Sequence, residues 1–150
     1  MNILEILYPD EEIFVKNYSF NKEKMSIEVE CLVPLKSNYA KKIVPYVTTE
    51  NYVRCLSEAS YLLSHYLIKD KVLDFKINEH EFVKAMTNYD LYYRNLSMTF
   101  HKRTKKDEPF KIIMELKNVK EIKSLNSSIL FVFSNRKTVI SGEMSFVYVK

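Results

Sequence analysis

The chain has 150 residues, of which 47% are hydrophobic and 28% charged, with a formal net charge of +4 and a single glycine. A chain of this length is expected to fold as one domain, residues 1–150, with a sizeable core. One glycine cannot supply a glycine-rich phosphate loop, which excludes Rossmann-type dinucleotide binding and P-loop phosphoryl transfer. Basic and acidic residues are intermixed along the chain, so no segregated stripe indicates nucleic-acid binding.

Cys31 and Cys55 occur without CxxC spacing or a nearby group of histidines. The sequence therefore predicts neither a disulfide framework nor a zinc site, and no metal or cofactor is expected. No segment approaches the ~20 apolar residues of a membrane span, and the acidic first residues differ from a signal peptide. We expect a cytoplasmic protein.

The first alternating pattern, over Met25–Val33, predicts a half-buried strand. Thr48 and Thr49 then offer a helix N-cap, and the change to a 3.6-residue period predicts a helix from about Glu50 to Ile68. Its broad apolar face carries Tyr52, Cys55, Leu56, Ala59, Leu62, Leu63, Tyr66 and Leu67. The opposite, polar side carries Arg54, Glu58, Tyr61 and His65.

Four further strands are predicted, over Leu91–Arg103, Phe110–Leu116, Ile129–Phe133 and Val139–Val149. In the first of them, one face is predicted to carry Tyr92, Leu96, Met98 and Phe100. The order of strand, long helix and four strands predicts an α+β protein of the hot-dog fold, an antiparallel β-sheet wrapped around one long central helix. A five-stranded sheet of this kind leaves an edge unpaired, so we expect a homodimer or a higher homo-oligomer.

The segment Ile43–Tyr61 resembles the loop and central helix of hot-dog acyl-thioester enzymes, and in particular those of the FcoT-like fatty-acyl-CoA thioesterase family. The resemblance implies hydrolysis of an acyl-CoA or acyl-carrier-protein thioester by a dimer. It also implies an acyl chain beside the central helix and a thioester near the helix N-terminus, at the subunit interface. Free N–H groups and the positive end of the helix dipole can stabilise an oxyanion at that position.

Hot-dog dehydratases have a similar helix pattern, from which this chain departs. Arg54 stands where their acidic residue is expected, Glu58 stands where glutamine is usual, and no histidine lies between Val33 and Thr49. These departures disfavour β-hydroxyacyl dehydration, which needs an acid and a base on either side of the substrate. Two alternatives to a hydrolase stay open: a lyase or dehydratase-like enzyme acting on a β-substituted or α,β-unsaturated acyl thioester, and a non-catalytic acyl-binding subunit.

Glu58 is the only carboxylate in the middle of the helix, and we predict that it acts as a base or orients water. The alternative is a solvated glutamate or one paired with Arg54, four residues earlier on the helix. Asn51 and the backbone amides near Thr49 are candidates to hold the thioester carbonyl. Simple capping of the helix is the alternative role for both side chains.

Hydroxyl and amide side chains concentrate before the helix, at Tyr39 and Tyr46, and again before the next strand, at Asn88, Tyr89, Tyr92 and Tyr93. They predict a polar cleft with Tyr89 as a further catalytic candidate. The residues predicted to bind substrate are Tyr46, Thr49, Tyr61, Asn88 and Tyr92. Packing is the alternative for each tyrosine. The basic run from His101 to Lys106 is either a solvated hairpin tip or a handle for the phosphate of CoA or a carrier protein.

Overall fold

The computed structural model describes residues 2–37, 40–73 and 76–149, so the predicted cleft residue Tyr39 lies outside the described residues. The elements, in chain order, are α1 (Leu4–Leu7), a 3₁₀ turn (Asp10–Glu12), β1 (Val15–Asn21), β2 (Ser26–Cys31), α2 (Thr49–Lys69), α3 (Glu79–Thr87), β3 (Leu91–Phe100), β4 (Phe110–Ile122), a second 3₁₀ turn (Lys123–Leu125), β5 (Ser128–Arg136) and β6 (Ile140–Tyr148). Within the described ranges, no helix is long and apolar enough to cross a membrane.

In the part of the chain that the structure describes, the strands form one antiparallel sheet of six strands in the order β1-β2-β4-β5-β6-β3. The predicted sheet around a long helix is confirmed, but the predicted number of strands is wrong. Strand β1 is not predicted by the sequence, because most of its side chains are exposed and it lacks a clear alternation of buried and exposed residues. Helix α3, which packs against α2, is not predicted either.

The long helix α2 begins where the sequence predicts. Thr48 and Asn51 form a capping box in which the Thr48 hydroxyl accepts from the Asn51 N–H and the Asn51 side chain accepts from the Thr48 N–H. The apolar face of α2 packs on the inner face of the sheet, and its buried members are Tyr52, Cys55, Leu56, Ala59, Leu62, Leu63 and Leu67. The helix start is therefore fixed both by its cap and by the core beneath it.

Strand β3 lies at one edge of the sheet, and among the described residues it pairs only with β6. A bulge between Tyr93 and Asn95 shifts its register, so that Tyr93 lies opposite Phe146 and Leu96 lies opposite Met144. Residues directly opposite in an antiparallel pair share a face. Tyr93, and not Tyr92, therefore shares the inner face with Leu96, which corrects the face predicted for this strand.

Gly142 is the chain's only glycine and lies in β6 at the contact with β3. Its φ is +148°, and an added Cβ would lie 2.0 Å from the Ser97 carbonyl oxygen and 3.0 Å from the Met98 Cα. A side chain here would force β3 and β6 apart. The position of the edge strand thus depends on this glycine.

Gly142→Ala is expected to lower the free energy of unfolding by at least about 2 kcal/mol, because the new methyl group meets backbone atoms that cannot yield locally. Denaturant unfolding measures the change. Glu143→Ala, at the exposed neighbouring position, is the matched control and should shift it by less than about 0.5 kcal/mol. Equal stability of the two variants would show that β3 does not need the glycine.

Candidate functional site

Glu58 lies in the middle of α2 and is fully buried. Its Oε2 accepts from the Val15 N–H at 2.8 Å and the Phe14 N–H at 3.0 Å, and its Oε1 accepts from Arg54 Nε at 3.0 Å. The pairing with Arg54, which was the alternative to a catalytic role, is present in the structure, and the catalytic role of Glu58 stays a prediction. The alternative that Glu58 is solvated is wrong, because the chain at the start of β1 lies over this side of the helix, and Phe14 and Val15 donate their backbone N–H groups to the carboxylate.

Arg54 fastens the same N-terminal residues to the helix. It donates through Nη2 to the Glu12 carbonyl at 3.0 Å, and its guanidinium carbon lies 3.6 Å from the centre of the Tyr8 ring. Arg54 and Glu58 together hold residues 8–15, here called the N-terminal strap, across α2. Burial raises the pKa of Glu58, while the Val15 and Phe14 amides and Arg54 act to lower it.

The occupied hydrogen-bonding positions of Glu58 limit its chemistry. Each of its carboxylate oxygens already accepts two hydrogen bonds, counting the longer contact of 3.2 Å from the Phe14 N–H to Oε1. A catalytic base needs an oxygen within hydrogen-bonding reach of water or substrate. Glu58 meets that requirement only if the N-terminal strap moves away from α2.

Tyr61 and Tyr89, two of the predicted site residues, influence Tyr8, the tyrosine that stacks on Arg54. Burial raises the pKa of Tyr8 to about 12, with Tyr61, Glu58 and Tyr89 adding to the rise. Tyr61 is half-buried, with its ring centre 6.4 Å from that of Phe146. Tyr89 is 89% exposed. Tyr61 and Tyr89 thus both act on the Tyr8 phenol, Tyr61 from a half-buried position and Tyr89 from solvent.

Tyr93 is a residue to which the sequence analysis gave no individual role. Its hydroxyl donates to Ser57 Oγ on α2, and Ser57 Oγ donates to the Val53 carbonyl at 2.9 Å. Burial raises the pKa of the Tyr93 phenol. Tyr92, which was predicted to bind substrate, lies opposite Val147 on the other face of the sheet from α2. No sequence signal distinguished the two tyrosines, because the bulge after Tyr93 decides which one faces the helix.

A groove of about 290 Å³ lies at the start of α2. We call it the helix-start groove, and its lining residues are Val47, Thr49, Tyr52, Phe100, His101, Lys102 and Arg103. Its apolar part includes the Tyr52 and Phe100 rings, whose centres are 5.5 Å apart. Thr49 is exposed in the first helical turn, and Lys102 and Arg103 are exposed cations at the rim. The groove therefore combines an apolar surface, a helix N-terminus and positive charge.

Tyr46 lies next to this groove, with the Arg103 guanidinium carbon 3.5 Å above its ring centre. The basic run is not wholly solvated, as one expectation held, because Thr104 and Lys106 are buried. Thr104 accepts from the Tyr52 hydroxyl at 3.0 Å, and the Thr104 carbonyl accepts from the Val47 N–H at 2.9 Å. Thr104 directly follows His101, Lys102 and Arg103, so its bonds hold these three exposed residues next to the helix start.

Asn51 is 1% exposed and occupied in the cap. Its Oδ1 accepts from the Thr48 N–H at 3.0 Å and the Thr48 hydroxyl at 2.9 Å, and its Nδ2 donates to Ser37 Oγ at 3.4 Å. The alternative role, a helix cap, is therefore what the structure shows for Asn51. A contact between Asn51 and a thioester stays a prediction.

The predicted site residues fall into two groups. Tyr46, Thr49 and Asn51 lie at the helix start, and Glu58 lies about 10 Å farther along the axis, by the rise per residue. Asn88 is the exposed C-cap of α3, directly before Tyr89. Among the residues that the structure describes, no group of three or more His, Cys, Asp or Glu side chains is arranged to hold a metal ion.

No protein-family profile matches the sequence, and no curated protein is significantly similar to it. Solved structures are similar in fold. A candidate thioesterase, the phenylacetic acid degradation-related protein of Ralstonia eutropha JMP134, is 11% identical with a TM-score of 0.52, covering 86% of this chain and 80% of its own. Cj0977, a sigma28-regulated virulence protein from Campylobacter jejuni, is 4% identical with a TM-score of 0.54, covering 99% of this chain and 91% of its own.

The thioesterase superfamily protein RHA08564 is 12% identical with a TM-score of 0.42, covering 84% of this chain and 49% of its own. The architecture and its similarity to the Ralstonia protein confirm the predicted hot-dog fold. Membership of the FcoT-like family stays a prediction.

Glu58→Gln is expected to lower the free energy of unfolding by about 1–3 kcal/mol, because the amide NH₂ would face the N–H donors of the strap. Denaturant unfolding measures the loss. Glu23→Gln, in the exposed turn between β1 and β2, is the matched control and should change it by less than about 0.5 kcal/mol. Unchanged stability of Glu58→Gln with a large loss of turnover would instead support Glu58 as the base.

Proposed function

We propose that the protein is an acyl-thioester hydrolase that acts on a fatty acyl-CoA or acyl-carrier-protein thioester. The observation that carries the proposal is the helix-start groove, where the first turn of a long helix meets apolar rings and two cationic side chains. The similarity in fold to a candidate thioesterase supports this class of reaction. The resemblance of the Ile43–Tyr61 segment to hot-dog thioesterases supports the same class.

Each part of the groove suits one part of such a substrate. Tyr52 and Phe100 offer apolar surface to the acyl group. The N-terminal amides and dipole of α2, at Thr49, suit the oxyanion that forms on the thioester carbonyl. Lys102 and Arg103 suit the phosphate that CoA and the prosthetic group of a carrier protein both contain. Tyr46 remains a proposed substrate contact through its stacking on Arg103.

The three proposed catalytic residues, Glu58, Asn51 and Tyr89, have different roles in the proposed reaction. Glu58 and Asn51 already make internal hydrogen bonds, so we propose that they position the strap and the helix start. Tyr89 is exposed and is proposed to contact the substrate. Tyr61 and Asn88, near Tyr89, stay proposed substrate contacts, whereas Tyr92 lies on the sheet face away from α2 and could contact only a carrier outside the groove.

We further propose a homodimer in which the sheet continues across β3. This edge strand of ten residues contains no proline and a single charged residue, Arg94. Its exposed large side chains are Tyr92, Tyr93, Leu96 and Phe100. Natural proteins usually protect such an edge, and pairing with a second copy does so. The groove of about 290 Å³ is also small among ligand pockets, which are typically about 300–1,000 Å³, so a partner that extends it fits the proposal.

One observation favours a second candidate, a non-catalytic acyl-binding subunit. The carboxylate oxygens of Glu58 and the side-chain oxygen of Asn51 already accept hydrogen bonds within the protein, so neither residue is placed to hold water unless an internal donor moves away. Such a subunit would use the same groove and cations to hold an acyl thioester. It would leave the thioester intact.

Incubation with a panel of acyl-CoA and acyl-carrier-protein thioesters, followed by mass spectrometry, tests the proposal. A hydrolase yields the free acid and the free thiol carrier. An adduct or a change in unsaturation would identify a lyase, and a bound but unchanged thioester would identify an acyl-binding subunit.

With an acyl-CoA, Arg103→Glu should raise KM about tenfold and leave kcat within a few-fold, because the lost charge contributes to binding in both the ground state and the transition state. Lys24→Glu makes the same type of charge reversal at an exposed cation in the turn between β1 and β2, away from the groove, and should change neither constant. Equal effects of the two substitutions would contradict the proposed binding of the carrier at the groove.

A further inference from the structure

A second groove lies between the N-terminal strap and the chain that leaves β2, and we call it the strap groove. Its volume of about 780 Å³ falls within the roughly 300–1,000 Å³ that is typical of ligand sites. The strap groove and the helix-start groove share none of the described residues. The proposed reaction therefore leaves the strap groove without a role.

Hydrogen bonds fix both walls of the strap groove. On the strap side, the Phe14 N–H donates to Glu58 at 3.0 Å. On the opposite side, the Leu35 N–H donates to Asp107 Oδ1 at 3.1 Å, and the Asp107 N–H donates to the Val33 carbonyl at 2.9 Å. The groove is thus held in shape by the fold itself, so a partner binds without ordering its walls.

The apolar part of the strap groove continues onto the surface. It consists of Phe14, Pro34, Leu35 and Ile43. Phe14 is buried, but Leu35 is 38% exposed and Ile43 is 69% exposed. Contiguous apolar side chains that stay exposed at a polar rim are typical of interaction surfaces. A ligand confined to the cavity would leave much of Ile43 in water, whereas a protein segment that crosses the groove would cover it.

The polar rim of the strap groove is acidic. Its charged residues are Glu11, Glu12, Asp107 and Lys36, which are three carboxylates and one ammonium. The whole chain has a formal net charge of +4, so this surface has the opposite sign. Within the described ranges, none of the three carboxylates forms an ion pair. Their charge is therefore available to a cationic partner.

We infer that the strap groove binds a basic, amphipathic segment of a partner protein. The apolar side chains of this segment pack against Leu35 and Ile43, and its Lys or Arg side chains pair with Glu11 and Glu12. The apolar contact retains the segment, while the carboxylates select it against neutral and acidic ones. This inference involves neither a thioester nor the helix-start groove, so it stands apart from the proposed hydrolase.

Binding in the strap groove is coupled to the position of the strap. Phe14 and Glu12 both line the groove. The same two residues hold the strap on α2, through the bond from the Phe14 N–H to Glu58 and the bond from Arg54 to the Glu12 carbonyl at 3.0 Å. A segment that packs on these residues binds only while the strap is in place. By linkage, its binding stabilises the strap on α2.

Fluorescence anisotropy with a labelled peptide tests the inference. The probe is a short capped peptide of Lys and Leu residues, and a matched peptide has Glu in place of Lys. The Lys/Leu peptide should bind the full chain at 0.15 M salt, and the Glu/Leu peptide should not. Glu11→Lys/Glu12→Lys should raise the Kd of the Lys/Leu peptide at least about tenfold, because two attractive pairs become repulsive.

Two further variants separate local from general effects. Glu23→Lys/Glu143→Lys changes the total charge equally, at exposed positions that do not line the strap groove, and should change the Kd by less than about twofold. Ile43→Ser removes an exposed apolar contact without a change of charge and should raise the Kd several-fold. Equal losses in the two charge variants, or equal affinities of the two peptides, would overturn the inference.

Hydrogen–deuterium exchange locates the bound peptide. The Lys/Leu peptide should slow exchange of the Phe14 and Val15 amides and leave the turn at residues 22–25 unchanged. Unchanged exchange at Phe14 and Val15 would overturn the inference. Tighter binding of dodecylamine than of the peptide would assign the groove to a small amphiphile, and self-association lost in Glu11→Lys/Glu12→Lys would assign it to a second copy. Either result would also overturn the inference.

Discussion

The hydrogen-bonded carboxylate of Glu58 is the interaction on which the arrangement of the candidate site depends. A carboxylate removed from water is costly unless donors surround it, and here the amides of Phe14 and Val15 and the Arg54 guanidinium do so. The same bonds hold the N-terminal strap across one side of α2 and close that side to ligands. The helix start is left as the accessible part of α2 where a dipole, apolar rings and cations meet.

The opposite edge of the sheet sets a second constraint. Strand β3 has an unpaired edge and exposed aromatic side chains, and Gly142 fixes it closely against β6. The close contact between the Gly142 backbone and the Ser97 carbonyl therefore fixes where this edge of the sheet lies.

The fold followed from the sequence wherever periodicity was strong, as in α2 and in the alternating residues of β2. The missed elements lack such a pattern, since β1 is mostly exposed. The candidate site was harder to predict. The four-residue spacing of Arg54 and Glu58 offered their pairing as an alternative, but a helical wheel cannot show that a distant segment covers Glu58. Nor does composition show the bulge that turns Tyr93 toward Ser57.

A crystal structure with a non-hydrolysable acyl-CoA analogue tests the central claim most directly, namely that substrate binds at the helix start and leaves Glu58 in place. We expect an acyl group against Tyr52 and Phe100 and phosphates near Arg103, with the bonds from Phe14 and Val15 to Glu58 intact. An analogue whose thioether lies beside Glu58, with the N-terminal strap displaced from α2, would contradict it.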